Sequence, residues 1–293
     1  MNELFPEVTV GLPVFNGERF IRQAIDSVLA QSFNDFELLI SDNASTDGTS
    51  TICAGYAAQD NRIKFVRHAT NRGAYSNFQF VTNHARGGLL VWLAHDDELG
   101  NEFLEVCSSH MRRKSSAVLV CGDFKVIDDS GSQVSAEVLV GIRENICWRK
   151  RCGEFYRYPI SNAFYCIYGM MRTEVCKSIL RELKEPKYMA QIELPILARF
   201  AAVGEIFSIP FMLRSYRRHN ASLYHSEMNL HSQKSRLNRV ISQHLHVARL
   251  RIDQMRVLLF SSLKPRIKGG VILDILRFYA LCVIANMRRG FRA

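Results

Sequence analysis

The sequence predicts an α/β fold, a doubly wound, mostly parallel sheet flanked by helices and followed by a C-terminal helical extension. Three observations carry this expectation. Short continuous apolar runs, the mark of buried strands, alternate with helix-periodic segments through the first half of the chain. Alternation of this length calls for parallel strands joined by right-handed crossovers. Two of the runs also end in acidic turns, Ser41-Asp42-Asn43-Ala44-Ser45-Thr46-Asp47-Gly48 and Asp96-Asp97. The carboxyl ends of strands are where open α/β sheets bind ligands.

Taken in order, residues 8–12 read as a strand stopped by Pro13. Phe20, Ile21, Ala24, Ile25, Val28 and Leu29 then fall on one face of a helix. Residues 36–40 form the second strand, a helix follows Gly48, and 63–66 form a third short strand. A helix over 75–84 ends near Gly87-Gly88, and a strand over 89–94 follows it. Residues 117–121 read as a strand, and 129–160 lack periodicity and read as loops on the acceptor side. Residues 192–202 read as a helix and 207–213 as a strand. Beyond His225 the pattern is helical, with Leu237, Ile241, Leu245, Ile252, Met255 and Leu259 lining one face. The division expected is a catalytic domain at 1–220 and a basic helical extension at 221–293.

At 293 residues, with 47% hydrophobic and 23% charged side chains, the composition is that of a folded globular chain, which excludes a disordered one. The eight cysteines include no Cys-x-x-Cys pair, which argues against zinc or iron–sulfur ligation. Met1 to Glu7 lack the basic and apolar regions of a signal peptide, so a cytoplasmic chain with reduced thiols is expected. Charge is uneven. Residues 211–293 hold 16 Lys+Arg against 3 Asp+Glu, a balance of +13, whereas residues 1–210 balance at −3. That end has no aromatic platforms between its basic residues, so no nucleic-acid partner is expected. Residues 271–287 are apolar but contain Asp274 and Arg277. A spanning helix needs about 20 residues, and each central charge costs roughly 2.5–3.5 kcal/mol. With Lys264, Arg266, Lys268, Arg288, Arg289 and Arg292 flanking it, the segment suits a helix lying on an anionic surface, at the cytoplasmic face of an inner membrane. A core or subunit-interface helix is the alternative, and the oligomeric state is not legible.

Several segments together resemble the inverting family 2 glycosyltransferases. They are Val8-Thr9-Val10-Gly11-Leu12-Pro13-Val14-Phe15-Asn16-Gly17, Ala24-Ile25-Asp26-Ser27-Val28-Leu29-Ala30-Gln31-Ser32-Phe33, the turn from Asp42 to Thr49, Asn71-Arg72-Gly73, and Asp96-Asp97. The resemblance covers roughly residues 8–220 and implies the Rossmann-like GT-A fold. It also implies a nucleotide-sugar donor, a UDP-sugar, and a glycan or lipid-linked acceptor in bacterial surface-polysaccharide assembly. By this similarity Asp97 is the direct ligand of Mn²⁺ or Mg²⁺, and Asp96 contacts the ribose or the metal's water shell. Asp42 accepts the uracil imide N–H, with Pro13, Val14, Phe15, Asn16 and Asn71 around the base and ribose. Glu193 is the general base, a role that contributes roughly 10²–10⁴-fold. Arg217 and His219 meet the diphosphate, and His219 completes the metal's coordination.

Two departures qualify the match. The family often shows Asp-x-Asp-Asp where this chain has Ala94-His95-Asp96-Asp97, and Ile192 stands where an acidic neighbour of the base is common. These departures keep open a catalytically inactive nucleotide-sugar-binding homologue.

Overall fold

The computed structural model describes residues 5–137, 162–183 and 193–219. In chain order the elements are β1 (Val8–Val14), α1 (Ile21–Leu29), β2 (Phe36–Asp42), α2 (Thr49–Gln59), β3 (Ile63–Arg67), α3 (Ala74–His84) and β4 (Leu89–Trp92). Then come β5 (Glu98–Leu99), α4 (Phe103–Arg113), β6 (Ala117–Ile127), β7 (Gln133–Glu137) and a 3-10 helix (Asn162–Tyr168). β8 (Met170–Arg172), α5 (Thr173–Glu182), α6 (Glu193–Val203) and β9 (Glu205–Arg217) complete the described chain.

One sheet runs β3-β2-β1-β4-β8-β6-β9-β5, with β7 paired to β6. β1 to β4 are parallel, as their crossover helices require. β8 enters antiparallel between β4 and β6, and β6 and β9 pair parallel. Side-chain alternation divides the core into two layers. Val8, Val10, Leu12 and Val14 face Ile21, Ala24, Ile25 and Val28 of α1, together with Phe103 and Leu104 of α4. Leu90 and Trp92 point the other way, into a layer with Val81, Ile179, Leu180, Ile196, Leu197 and Phe200 from α3, α5 and α6. The i, i+3, i+4, i+7 spacing of the buried positions in α1 makes it amphipathic.

Where structure and sequence reading differ, the reason is polarity. Residues 133–137, expected to be loop, form β7, a mostly exposed edge strand whose two alternating apolar residues, Val134 and Ala136, both face solvent. It is set by the Asp128 turn, where the carboxylate accepts bonds from the amides of Ser130 and Ser132. β6 runs six residues beyond the expected end at Cys121, through Gly122 and Asp123, because β9 pairs along it. β9 continues past Leu213 into Arg214, Ser215 and Arg217, all buried despite their polarity. Among the described residues no helix is long and apolar enough to cross a membrane. The extension at 221–293 lies outside the described residues.

Gly87 packs against β1, where an added Cβ would stand 2.6 Å from the backbone nitrogen of Thr9. Backbone cannot rotate away, so Gly87→Ala is expected to cost about 1–3 kcal/mol, the usual overpacking penalty. Gly55 sits exposed in α2 with nothing within 4 Å of its would-be Cβ. Gly55→Ala should therefore gain roughly 0.5–1 kcal/mol from helix propensity. Chemical denaturation of the two variants checks the contrast, and equal effects would contradict the packing described.

Candidate active site

The site is built from strand ends. The register places Val14 beside Asp42 across β1 and β2, and Gly11 beside Trp92 across β1 and β4. The loops after three parallel strands therefore open at one sheet edge. The first loop is tied to the second by polar bonds. The Asn16 amide donates to Ser45 Oγ (2.9 Å), the Gly17 amide to Thr49 Oγ1 (2.8 Å) and the Glu18 amide to Asp47 Oδ2 (3.1 Å). Asn16 adopts φ 51°, a left-handed conformation that Asn tolerates, and its Oδ1 accepts the Thr46 amide at 2.8 Å.

Asp42 is fully buried at the end of β2. Its Oδ1 accepts the Ser45 amide at 2.9 Å, while among the described residues its Oδ2 accepts no hydrogen bond. The nearest cation is the half-exposed Arg67, whose Nε lies 3.6 Å from that oxygen. Asn43 braces the neighbouring loop. Its Nδ2 donates to Asn71 Oδ1 (2.9 Å) and the Gly73 carbonyl (3.1 Å), and its Oδ1 accepts the Arg72 amide. Asn71 Oδ1 thus serves the loop itself. Pro13 and Val14 are buried, whereas the ring of Phe15 is 42% exposed beside them.

The aspartates after β4 have different surroundings. Asp97 is buried, with Oδ2 paired to Arg214 Nη2 at 2.6 Å and Oδ1 accepting the Arg217 amide at 2.9 Å. Burial pushes its carboxyl up to about 6, opposed by Arg214 and helped by the charge of Asp96. Asp96 Oδ2 lies 2.9 Å from His219 Nε2. Burial raises its pKa, but the His219 hydrogen bond and the charges of His95 and His219 outweigh this and hold it below the ordinary carboxylate value. His219 is itself buried, and its Nδ1 has no hydrogen-bond partner among the described residues. Arg217 is fully committed, with Nε to the Asp96 carbonyl, Nη1 to the Asp128 carbonyl and Nη2 to Glu98.

The structure thus brings Asp96, Asp97, Arg217 and His219 together, with Asp42, Asn16 and Asn71 on the adjoining loops. Glu193 opens α6 and lines a mostly apolar hollow with Tyr75, Phe78, Trp92, Tyr168 and Ile196. Tyr168 connects it to the aspartates. Burial drives that phenol well above its usual value, and the charges of Glu193, Asp97 and Asp96 add to the rise while Arg214 opposes it.

Sequence reasoning missed Arg214, whose Nη1 also reaches the Tyr168 and Trp92 carbonyls at 3.0 and 3.5 Å. A guanidinium directly after the apolar residues 207–213 was the available signal, since an unpaired charge cannot stay in such a strand.

Residues 9–180 match the model of Glycosyl transferase family 2. The chain belongs to this family. It is 31% identical to the Putative glycosyltransferase EpsE of Bacillus subtilis over 140 residues, 47% of this chain and 50% of that protein. It is 30% identical to an uncharacterized glycosyltransferase of Haemophilus influenzae over 129 residues, 44% of this chain and 51% of that one. The chain therefore spans about half the length of these curated relatives. A crystal structure of an S. aureus TarS fragment in complex with UDP-GlcNAc superimposes with a TM-score of 0.68 at 16% identity, covering 93% of this chain and 72% of that one. At that identity the likeness is one of fold, and the fold is that of the GT-A glycosyltransferases.

Removing one partner of a buried ion pair leaves the other charge uncompensated, at about 3–5 kcal/mol. Arg214→Ala is expected to show a loss of that size in urea denaturation. Arg214→Lys should recover little, because an ammonium cannot span Asp97 and two carbonyls as a planar fork does. A loss below about 1 kcal/mol would mean that the pair does not anchor the site.

Proposed function

We propose that the chain is a metal-dependent, inverting glycosyltransferase that moves a sugar from a UDP-sugar to a hydroxyl of a glycan or lipid-linked glycan. The observation that carries this reading is the pairing, at one sheet edge, of a buried carboxylate oxygen lacking a donor with a carboxylate–imidazole pair. Family membership supports transfer chemistry, and the UDP-GlcNAc bound by the S. aureus neighbour supports the donor class.

Asp42 would accept the imide N–H of uracil on Oδ2. A base without that donor would leave the buried carboxylate unsatisfied, a penalty of about 1–3 kcal/mol. Pro13, Val14 and Asn16 would wall the base and ribose, Phe15 would cover them, and Asn71 would hold the loop that completes the pocket.

Asp96 and His219 suit a divalent cation. Asp96 would hold the cation on its carboxylate, and His219 would join it through Nε2, the nitrogen that now meets Asp96, in exchange for the hydrogen bond between them. A carboxylate and an imidazole form a donor set that favours Mn²⁺ over Mg²⁺. Among the described residues no group of three His, Cys, Asp or Glu could hold a metal, so substrate phosphate would complete the shell. Asp97, which the resemblance made the direct ligand, has both oxygens engaged, and we assign it to anchoring the loop. We likewise assign Arg217 to holding Asp96 through its carbonyl, with its positive charge lying behind the diphosphate site. When bound, the cation would supply Lewis-acid neutralisation of the leaving diphosphate.

Glu193 would take the proton from the acceptor hydroxyl as its oxygen attacks the anomeric carbon opposite the diphosphate, which inverts that centre. The basic residues of 264–293 would hold the protein on an anionic membrane surface where a lipid-linked acceptor resides. Bacterial surface-polysaccharide assembly fits that placement and the bacterial relatives.

A second reading, a nucleotide-sugar-binding homologue without turnover, is favoured by one observation, the capture of Asp97 by Arg214. Release of UDP from UDP-sugars with and without Mn²⁺ separates the two.

Glu193→Gln keeps size and hydrogen bonding but removes the proton acceptor, so turnover should fall by about 10²-fold or more with UDP affinity little changed. A variant within about threefold of wild type would move the base elsewhere. Asp42→Ala should chiefly raise the donor KM and narrow the preference for uracil over other bases. Chelation by EDTA should abolish transfer and Mn²⁺ restore it, whereas full activity in EDTA would contradict the cation's role.

A further inference from the structure

Phe20 lies between the first loop and the end of β9, and nothing in the mechanism above uses it. Its ring is 5% exposed. The Arg217 guanidinium carbon stands 4.7 Å from the ring centroid, the Arg19 guanidinium carbon also stands at 4.7 Å, and the His219 ring centroid lies at 4.9 Å. An aromatic face attracts cations within about 6 Å of its centroid, and more strongly where water is excluded. Arg217 and His219 are both buried, so their contacts with the ring are largely screened from solvent.

Both groups then act on Asp96. His219 Nε2 meets its carboxylate, and Arg217 Nε meets its carbonyl at 3.0 Å. The same loop touches the aspartates a second time. A Cβ on Gly17 would stand 2.6 Å from His95 Cδ2, so only glycine lets His95 lie against it. The backbone binds the two contacts into one unit, since the amides of Phe20 and Ile21 both donate to the Gly17 carbonyl, at 3.0 and 2.9 Å. The other end of the loop is pinned to the turn after Asp42 by Asn16, Gly17 and Glu18.

From this geometry we infer that Phe20 is a positioning residue for the cation-binding part of the site. Its ring fixes where Arg217 and His219 stand, and through them the direction of the Asp96 carboxylate. The first loop thereby joins the base pocket, through its bonds to residues 45–49, to the aspartate loop. Phe20 touches neither donor nor acceptor in this account. Any apolar residue of similar size would fill its volume, but only an aromatic ring holds two cations and an imidazole around one centre.

The inference rests on the assignment of Asp96 and His219 under the proposed function, and the test separates the two. UDP binding is measured by calorimetry with and without Mn²⁺ for wild type, Phe20→Leu and Phe20→Tyr. Wild type should gain affinity from Mn²⁺. Phe20→Leu should lose about tenfold of the Mn²⁺-dependent affinity, the scale of a desolvated cation–π contact, with metal-free UDP binding unchanged. Phe20→Tyr should restore the gain. A purely structural role would weaken both affinities together or neither, and either result overturns the inference, as does a Leu variant that keeps the full gain. A wild type without any Mn²⁺ gain overturns the cation assignment itself, and the role of Phe20 with it.

Discussion

The ion pair between Asp97 and Arg214 is the interaction on which the rest of the site depends. Taking two charges out of water costs several kcal/mol per ion, and such a pair holds only when further hydrogen bonds satisfy both partners. Here they do. Asp97 also accepts the Arg217 amide, and Arg214 also donates to the carbonyls of Tyr168 and Trp92. One guanidinium therefore ties the end of β4, the end of the 3-10 helix and the aspartate loop to β9. With Asp97 held on β9, its neighbour Asp96 is left to face His219. The two adjacent carboxylates thus have different partners, Arg214 for Asp97 and His219 for Asp96.

A second polar layer sets the side of the site where we propose the base binds. The bonds of Asn16, Gly17 and Glu18 to Ser45, Thr49 and Asp47 hold two loops in fixed relation before any ligand arrives. Behind them, Ser41 Oγ lies 2.9 Å from His68 Nε2, and Asn77 Nδ2 donates to the Ser41 carbonyl at 2.9 Å. Burial comes first among the causes that lower the His68 pKa, with the charge of Arg72 next. The ring packs edge-on against Phe80 in that interior position. Groups held this way need little reorganisation on binding, which is how preorganised sites gain affinity.

The parallel half of the fold was legible because β1, β2 and β4 are buried on both faces and α1 carries one apolar stripe. β1 to β4 and α1 lie within a few residues of where their patterns place them. The second half was harder to read for a physical reason. β9 ends in the buried Arg214 and Arg217, whose partners Asp97 and Asp96 lie more than 100 residues away in sequence. No local pattern announces such pairing. β7 is a polar edge strand fixed by the Asp128 turn and by β6 rather than by its own side chains. At the site, the acidic turns could be picked out by residue type, and Arg217 and His219 by the family resemblance. The different surroundings of Asp96 and Asp97 could not, because they are set by Arg214 and His219 across the sheet.

The central claim is that Asp97 anchors while Asp96 and His219 face the ligand. A crystal structure with UDP and Mn²⁺ tests it most directly, since anomalous scattering locates the cation without reference to activity. The cation should lie on Asp96 and His219, with Asp97 still paired to Arg214. Mn²⁺ bound through Asp97, with Arg214 displaced from it, would contradict the claim.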